Sequence, residues 1–111
     1  MFHMLTCFNL KPGETIESFH ESLAELMAHL KEMRLVDSVG PIGLRQRDTI
    51  MDTDDERDHQ YFFIMSFTDR EQCDRSVEYM YREKEPADGL HKRTYGKIQD
   101  PVFISWLDIE T

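Results

Sequence analysis

The sequence predicts an α+β domain of ferredoxin-like type, with the element order βαββαβ and a four-stranded antiparallel sheet carrying both helices on one face. Three observations lead to this prediction: an alternating strand in residues 1–10, a long amphipathic helix after it, and a second strand-to-helix unit in residues 60–81. Split βαβ units of this kind pair their strands in one sheet. The 111 residues match the size of one ordinary domain, so we expect a single domain over 1–111.

The first strand and the first helix are marked by a change in apolar period. Met1 to Leu10 alternates its large side chains with period two, which is typical of a strand, and Lys11-Pro12-Gly13 then turns the chain. Thr15 has the side chain of a helix N-cap, and from Ile16 the apolar spacing changes to three and four. This spacing predicts a helix from Ile16 to near Leu35.

The middle of the chain contains two further strands and the start of a second helix. Gly40-Pro41 interrupts the beginning of a strand expected at Ile42–Thr49, and an acidic loop follows at Met51–Asp58. Gln60–Phe67 is the clearest strand in the chain. Thr68-Asp69-Arg70-Glu71 has the capping-box pattern and predicts the start of the second helix.

The last third of the chain predicts a short helix and a final strand. Pro86 ends or restarts the second helix, and a helical turn is expected through Ala87–Tyr95, with Gly96 as its C-terminal stop. Pro101 then introduces a strand at Val102–Ile109.

Large apolar side chains occupy both faces of the predicted strands. Phe63 and Met65 alternate with Phe62 and Ile64, although a sheet with one wet face should alternate apolar with polar residues. Two helices cover one face only, so the other face needs a second cover. We therefore expect a homodimer through the open sheet face, related by a two-fold axis. The alternative is a monomer whose loops fold over the sheet.

The composition limits the compartment and the partners. The formal net charge is −9, so a phosphate backbone is repelled, and neither nucleic acid nor an anionic membrane is expected as a partner. The first ten residues lack a basic lead-in and a cleavage pattern, and no segment reaches the length of a membrane helix, so we expect a cytoplasmic protein. Cys7 and Cys73 lie among apolar neighbours, which favours buried thiols over a disulfide.

Two segments carry a resemblance to a known family. Phe8-Asn9-Leu10-Lys11-Pro12-Gly13, leading into Phe19, and Ile64-Met65-Ser66-Phe67-Thr68-Asp69, leading into the second helix, resemble the stress-responsive dimeric α/β-barrel proteins. These belong to the dimeric α+β barrel superfamily, with the antibiotic-biosynthesis monooxygenases. The resemblance covers nearly all of the chain and implies the ferredoxin-like fold and a homodimer more than it implies a reaction.

The catalytic residues of that superfamily do not carry over. Its polyketide cyclases use a histidine at the position of Met4, and His3 lies on the opposite face of the strand. They also use a His-Pro-x-His stretch where this chain has Glu85-Pro86-Ala87-Asp88. The haem-degrading branch needs an asparagine, which Asn9 can mimic, but also a histidine ligand on the second helix, which has none.

Three local patterns are better explained as ordinary structure than as metal or thiol sites. Glu17 and His20 have the spacing of a di-iron half-site, but no second Glu-x-x-His is present. The acidic run Asp52–Glu56 lacks the glycine and glutamate of a calcium loop. Cys7 and Cys73 have no CxxC partner, and Cys7 has no activating base beside it in the sequence. We expect no metal and no cofactor.

The candidate site is an apolar pocket on the helix-covered face, closed at its mouth by the two weak catalytic candidates His91 and Tyr95. His91 would act as acid or base, and Tyr95 or Tyr61 would orient a ligand hydroxyl. This predicts a small apolar or aromatic ligand and an enzyme of cofactor-free oxygenase or cyclase type. The alternative is a filled core in a non-catalytic, stress-related or accessory interaction module. The predicted pocket residues are Met4, Thr6, Phe8, Tyr61, Phe63, Met65 and Trp106.

Overall fold

A computed structural model describes residues 1–111, and it contains five strands and three helices. Because β2 and β3 are two pieces of one interrupted strand, the element order is the predicted βαββαβ, with a third helix before the last strand. The elements are β1 (Phe2–Leu10), α1 (Ile16–Glu32), β2 (Ser38–Val39), β3 (Gly43–Leu44), β4 (Tyr61–Phe67), α2 (Arg70–Tyr81), α3 (Ala87–Tyr95) and β5 (Ile98–Leu107).

The five strands form one open antiparallel sheet in the order β2-β4-β1-β5, and β3 also pairs with β4. The central strand β1 is therefore hydrogen-bonded on both sides. The predicted fold class, α+β of ferredoxin-like type, is confirmed.

The first helix begins where its cap was predicted and ends earlier. The Thr15 hydroxyl accepts a hydrogen bond from the Ser18 backbone N–H at 3.1 Å. The helix ends at Glu32, before the predicted Leu35, because Arg34 adopts a left-handed backbone with φ of 59°. Val36 is buried and continues the apolar surface into β2.

The second predicted strand, Ile42–Thr49, was too long. Gly43–Leu44 pairs with β4, and the Arg45 backbone N–H adds one more bond to the Gln60 carbonyl at 2.8 Å. Beyond Arg45 the chain leaves the sheet. The departure has a physical reason, because the Arg45 guanidinium binds the loop that follows.

The second helix begins one residue later than its capping pattern indicated. Asp69, not Thr68, is the N-cap, and its carboxylate accepts from the Gln72 backbone N–H at 2.8 Å. The Thr68 backbone N–H instead donates to the Gln72 side-chain oxygen at 2.7 Å. The polar stretch therefore opens the helix as predicted, with a shifted register.

The last strand begins earlier than Val102 and contains a bulge. Asn9 pairs with Gln99 and Cys7 with Val102, so β5 uses one residue more than β1 over this stretch. Asp100, inside the bulge, has a left-handed φ of 56°. The bulge reverses which face each later residue of β5 occupies.

The main core lies between the helices and one face of the sheet. None of the helices has the length and apolarity needed to cross a bilayer. The core cluster consists of Phe8, Phe19, Leu23, Leu26, Met27, Leu30, Val36, Phe63, Met65, Phe67 and Ile98.

Candidate functional site

Six of the seven predicted pocket residues lie on the helix-covered face of the sheet. Met4 pairs with Met65 and Thr6 with Phe63, so these side chains are cross-strand neighbours. Phe8 pairs in the same way with Tyr61. The structure therefore brings these six together, as the alternation in β1 and β4 predicted.

The aromatic members of this group pack against one another. The ring of Phe8 lies 4.7 Å from that of Phe19, 5.5 Å from that of Tyr61 and 5.9 Å from that of Phe63, measured between centroids. Two cavities in the structure, of about 280 and 550 Å³, are lined by residues of β3, β4 and the loop between them instead, and by none of the seven predicted pocket residues.

The placement of Trp106 in this pocket was wrong. Trp106 pairs with His3, and therefore lies on the open face of the sheet. Ile98, before the bulge, is buried in the core, and an uninterrupted strand would have put Trp106 on the same face. The extra residue at Asp100 moves it to the other side.

Thr6 is the polar exception in this apolar surface. Its side chain is 0% exposed, and its hydroxyl oxygen has no hydrogen-bond partner. Its neighbours across the two adjacent strands are Phe63 and Phe103, which offer no donor or acceptor in their side chains. A buried hydroxyl without a partner costs about 1–3 kcal/mol.

His91 and Tyr95 lie one turn apart on α3, with ring centroids 4.8 Å apart. Burial is the largest influence on the pKa of each side chain. It lowers the pKa of His91, partly opposed by the charge of Asp88, and it raises the pKa of Tyr95 to about 12. Burial therefore favours a neutral imidazole beside a protonated phenol. The first can accept a proton and the second can donate a hydrogen bond.

A cluster of three polar side chains, His3, Ser66 and Asp108, interrupts the otherwise apolar open face. His3 Nδ1 lies 2.8 Å from the Ser66 hydroxyl, and His3 Nε2 lies 2.9 Å from an Asp108 carboxylate oxygen. The Trp106 ring packs on the imidazole, with centroids 5.2 Å apart. The hydrogen bond from His3 is the main reason why the pKa of Asp108 is lowered. The two hydrogen bonds of His3 orient its imidazole ring at one end of the open face.

Arg45 organises the loop after β3. Its Nε and one Nη donate to the two Asp52 carboxylate oxygens at 2.7 and 2.8 Å, and its terminal nitrogens also donate to the carbonyls of Asp54 and Arg57. The hydrogen bond from Arg45 is the largest cause of the lowered pKa of Asp52. Since these bonds occupy the guanidinium, Arg45 holds the loop and has little capacity for a ligand.

His59 is a candidate that the sequence did not reveal. It is 7% exposed, its Nε2 lies 2.6 Å from the Asp100 carbonyl oxygen, and its Nδ1 is buried without a partner. It also lines the cavity of about 550 Å³. Between the charged Asp58 and the polar Gln60, no local pattern marked it.

The thiols and the carboxylates do not form a reactive or metal-binding centre. Burial is the largest cause of the raised pKa values of Cys7 and Cys73, so both thiols stay protonated and are weak nucleophiles. No group of three or more His, Cys, Asp or Glu side chains is placed to hold a metal ion.

Solved structures of the same architecture are numerous but distant in sequence. The Arabidopsis thaliana protein At3g17210 superposes with a TM-score of 0.74 at 9% identity, over 100% of this chain and 98% of that one. A dimeric ferredoxin-like protein of unknown function from Jannaschia gives 0.63 at 14% identity, over 97% and 98%. An antibiotic biosynthesis monooxygenase gives 0.62 at 17% identity, over 99% and 100%.

This chain has the ferredoxin-like fold. No protein-family model matches it, and no curated protein is similar to it at a significant level. The structural neighbours include proteins of unknown function as well as an enzyme, so they establish the fold and no specific function.

Proposed function

We propose that this protein is a homodimer, joined through its open sheet face, which binds a small apolar or aromatic molecule on the helix-covered face. The observation that carries the ligand proposal is the Thr6 hydroxyl, which is fully buried among apolar side chains and has no partner. A ligand hydroxyl or carbonyl placed there would remove that deficit. In this proposal His91 and Tyr95 of α3 are the acid–base and orienting groups of a cofactor-free oxygenase or cyclase, because burial favours a neutral imidazole and a protonated phenol.

Homodimer formation is supported by the surface of the sheet and by the neighbours. Ile64, Ile104 and Trp106 are 37%, 44% and 38% exposed on the open face. The Jannaschia protein with this fold is described as dimeric. A second copy of the same sheet would cover these side chains without a further protein.

The ligand proposal is tested with Thr6→Val, which keeps the shape and removes the hydroxyl. Without ligand, we expect the free energy of unfolding in urea to rise by about 1 kcal/mol, because an unpaired buried group is lost. In a thermal-shift screen against aromatic acids, quinones and polyketides, a compound that stabilises the wild-type protein should stabilise Thr6→Val much less.

The matched control is Thr94→Val. Thr94 is also fully buried, but its hydroxyl donates to the Leu90 carbonyl at 2.8 Å, so the variant should lose stability and keep its response to the compound. Equal stabilisation of the wild-type protein and Thr6→Val by the same compound would refute the role of Thr6.

A second candidate function is a non-catalytic dimeric interaction module, stress-related or accessory. It is favoured by the close packing of Phe8 against Phe19 and Phe63, which leaves the core filled unless these rings move. In that case no compound in the screen changes the melting temperature, while the dimer persists in light scattering.

A further inference from the structure

We propose that the cavity beside His59 is a separate binding site for a small hydroxy acid, a molecule with a hydroxyl group, a carboxylate and an apolar body. The cavity has a volume of about 550 Å³ and is lined by Leu44, Arg47, Asp58 and His59, among others. This volume lies within the range of small-molecule sites. The proposal goes beyond the helix-covered site around Thr6, because it rests on a different group of residues.

The hydroxyl is inferred from the hydrogen bonds of His59. A backbone carbonyl can only accept, so the 2.6 Å contact with Asp100 fixes the proton on Nε2. In the neutral ring Nδ1 is then an acceptor, and it is buried without a donor. A ligand hydroxyl satisfies it by donating a hydrogen bond to Nδ1.

The carboxylate is inferred from the contrast between two arginines that line the same cavity. Arg45 is occupied by Asp52 and two carbonyls, with its side chain 8% exposed. The Arg47 side chain is 55% exposed and donates to the Arg57 carbonyl, and Asp58 lies 3.8 Å from its Nη2. Arg47 therefore retains donors that can face a planar carboxylate.

The apolar body is inferred from Leu44. This side chain is 61% exposed at the end of β3 and is the apolar part of the cavity lining. An aromatic ring that covers Leu44 would bury apolar surface on binding. Aromatic hydroxy acids therefore fit the site better than short aliphatic ones.

The test follows the ¹⁵N resonances of the His59 ring during titration with 4-hydroxybenzoate and salicylate, which differ in the position of the hydroxyl. Benzoate lacks the hydroxyl group and phenol lacks the carboxylate, so they are matched probes. We expect saturable binding of at least one hydroxybenzoate with a change at Nδ1, and about tenfold weaker binding of both benzoate and phenol.

Two variants assign the contacts. His59→Gln keeps an amide donor for the Asp100 carbonyl and lacks the Nδ1 acceptor, so it should bind hydroxybenzoate and benzoate equally. Arg47→Gln should bind hydroxybenzoate and phenol equally. Thr6→Val should leave these titrations unchanged, which separates this site from the helix-covered one.

The proposal is overturned if neither hydroxybenzoate moves the His59 resonances, since water alone would then satisfy the ring. It is also overturned if benzoate binds the wild-type protein as tightly as the hydroxybenzoates. Because the titration uses the wild-type protein, poor folding of a variant does not prevent either result.

Discussion

Burial acts on His91 and Tyr95 of α3 in the same sense, since it favours the uncharged form of each. Burial lowers the pKa of His91 below its usual 6.5, because desolvation outweighs the favourable charge of Asp88 and Lys92 adds to the lowering. Burial also raises the pKa of Tyr95 to about 12. Charging either side chain in the folded protein therefore costs free energy.

This effect predicts a loss of stability on mild acidification. Below pH 6.5 the unfolded chain binds a proton at His91 that the folded chain resists, so the free energy of unfolding falls as the pH falls toward the lowered pKa. His91→Gln should reduce this fall between pH 7 and pH 5, measured by urea denaturation at each pH. The control is His20→Gln, which replaces an exposed histidine on α1. An unchanged pH slope in His91→Gln would contradict the assignment.

At the scale of elements, Arg45 makes more hydrogen bonds to the loop after β3 than any other side chain. The Arg45 guanidinium binds Asp52 through two bonds and reaches two loop carbonyls, while the loop tip exposes Ile50 and Met51 almost fully. The loop has no regular secondary structure of its own. Arg45 is therefore the side chain whose loss should loosen the loop most.

We expect Arg45→Met to release the loop and to leave the sheet intact. The variant keeps the length of the side chain but leaves the Asp52 carboxylate and the carbonyls without their donor. Amide hydrogen exchange should become faster in residues 46–58, while the protection of β1 and β4 stays the same. Arg57→Met is the matched control, because it removes only the partly exposed pair with Asp54. Slow exchange in the Arg45→Met loop would show that other contacts hold it.

Elements with strong periodicity were predictable from the sequence. The alternating β1, the helix spacing of α1 and the run of β4 gave correct elements within a few residues, and Thr15 was correctly predicted as a cap. The strand predicted at Ile42–Thr49 was too long. Beyond Arg45 the chain leaves the sheet, and the Arg45 side chain binds the loop that follows. The alternation of apolar residues cannot reveal such a bond between a strand end and the loop after it.

The candidate site was predictable only in part, and for a related reason. The alternation of β1 and β4 placed six pocket residues on one face, but the bulge at Asp100 reversed the face of Trp106. The unpaired groups of Thr6 and His59 were not foreseeable either, since a missing partner is recognised only when all the neighbours are in place.

At the scale of the whole molecule, apolar residues continue across the open face. Leu5 of the central strand pairs with Ile64 on one side and with Ile104 on the other, so the three form one row across β4, β1 and β5. The edge strand β5 also exposes Phe103 and Leu107 on its other face. A contiguous apolar surface on a paired sheet is typical of an interface.

The double variant Ile64→Glu and Ile104→Glu should therefore convert a dimer into a monomer. In the proposed dimer a carboxylate on each side of Leu5 would be buried in the interface, and the cost of burying unpaired charges exceeds the gain from the remaining contacts. Light scattering should give twice the 13.2 kDa chain mass for the wild-type protein and the single mass for the variant. The control is Val77→Glu, because Val77 is 45% exposed on α2, away from the sheet, and its replacement should leave the dimer intact.

Melting temperature provides an independent measure, since for a dimer it rises with protein concentration and for the monomeric variant it does not. The contrary result is a wild-type protein that scatters as a monomer at high concentration and has the same melting temperature at every concentration. The row of Ile64, Leu5 and Ile104 would then face solvent, and the protein would not be a dimer.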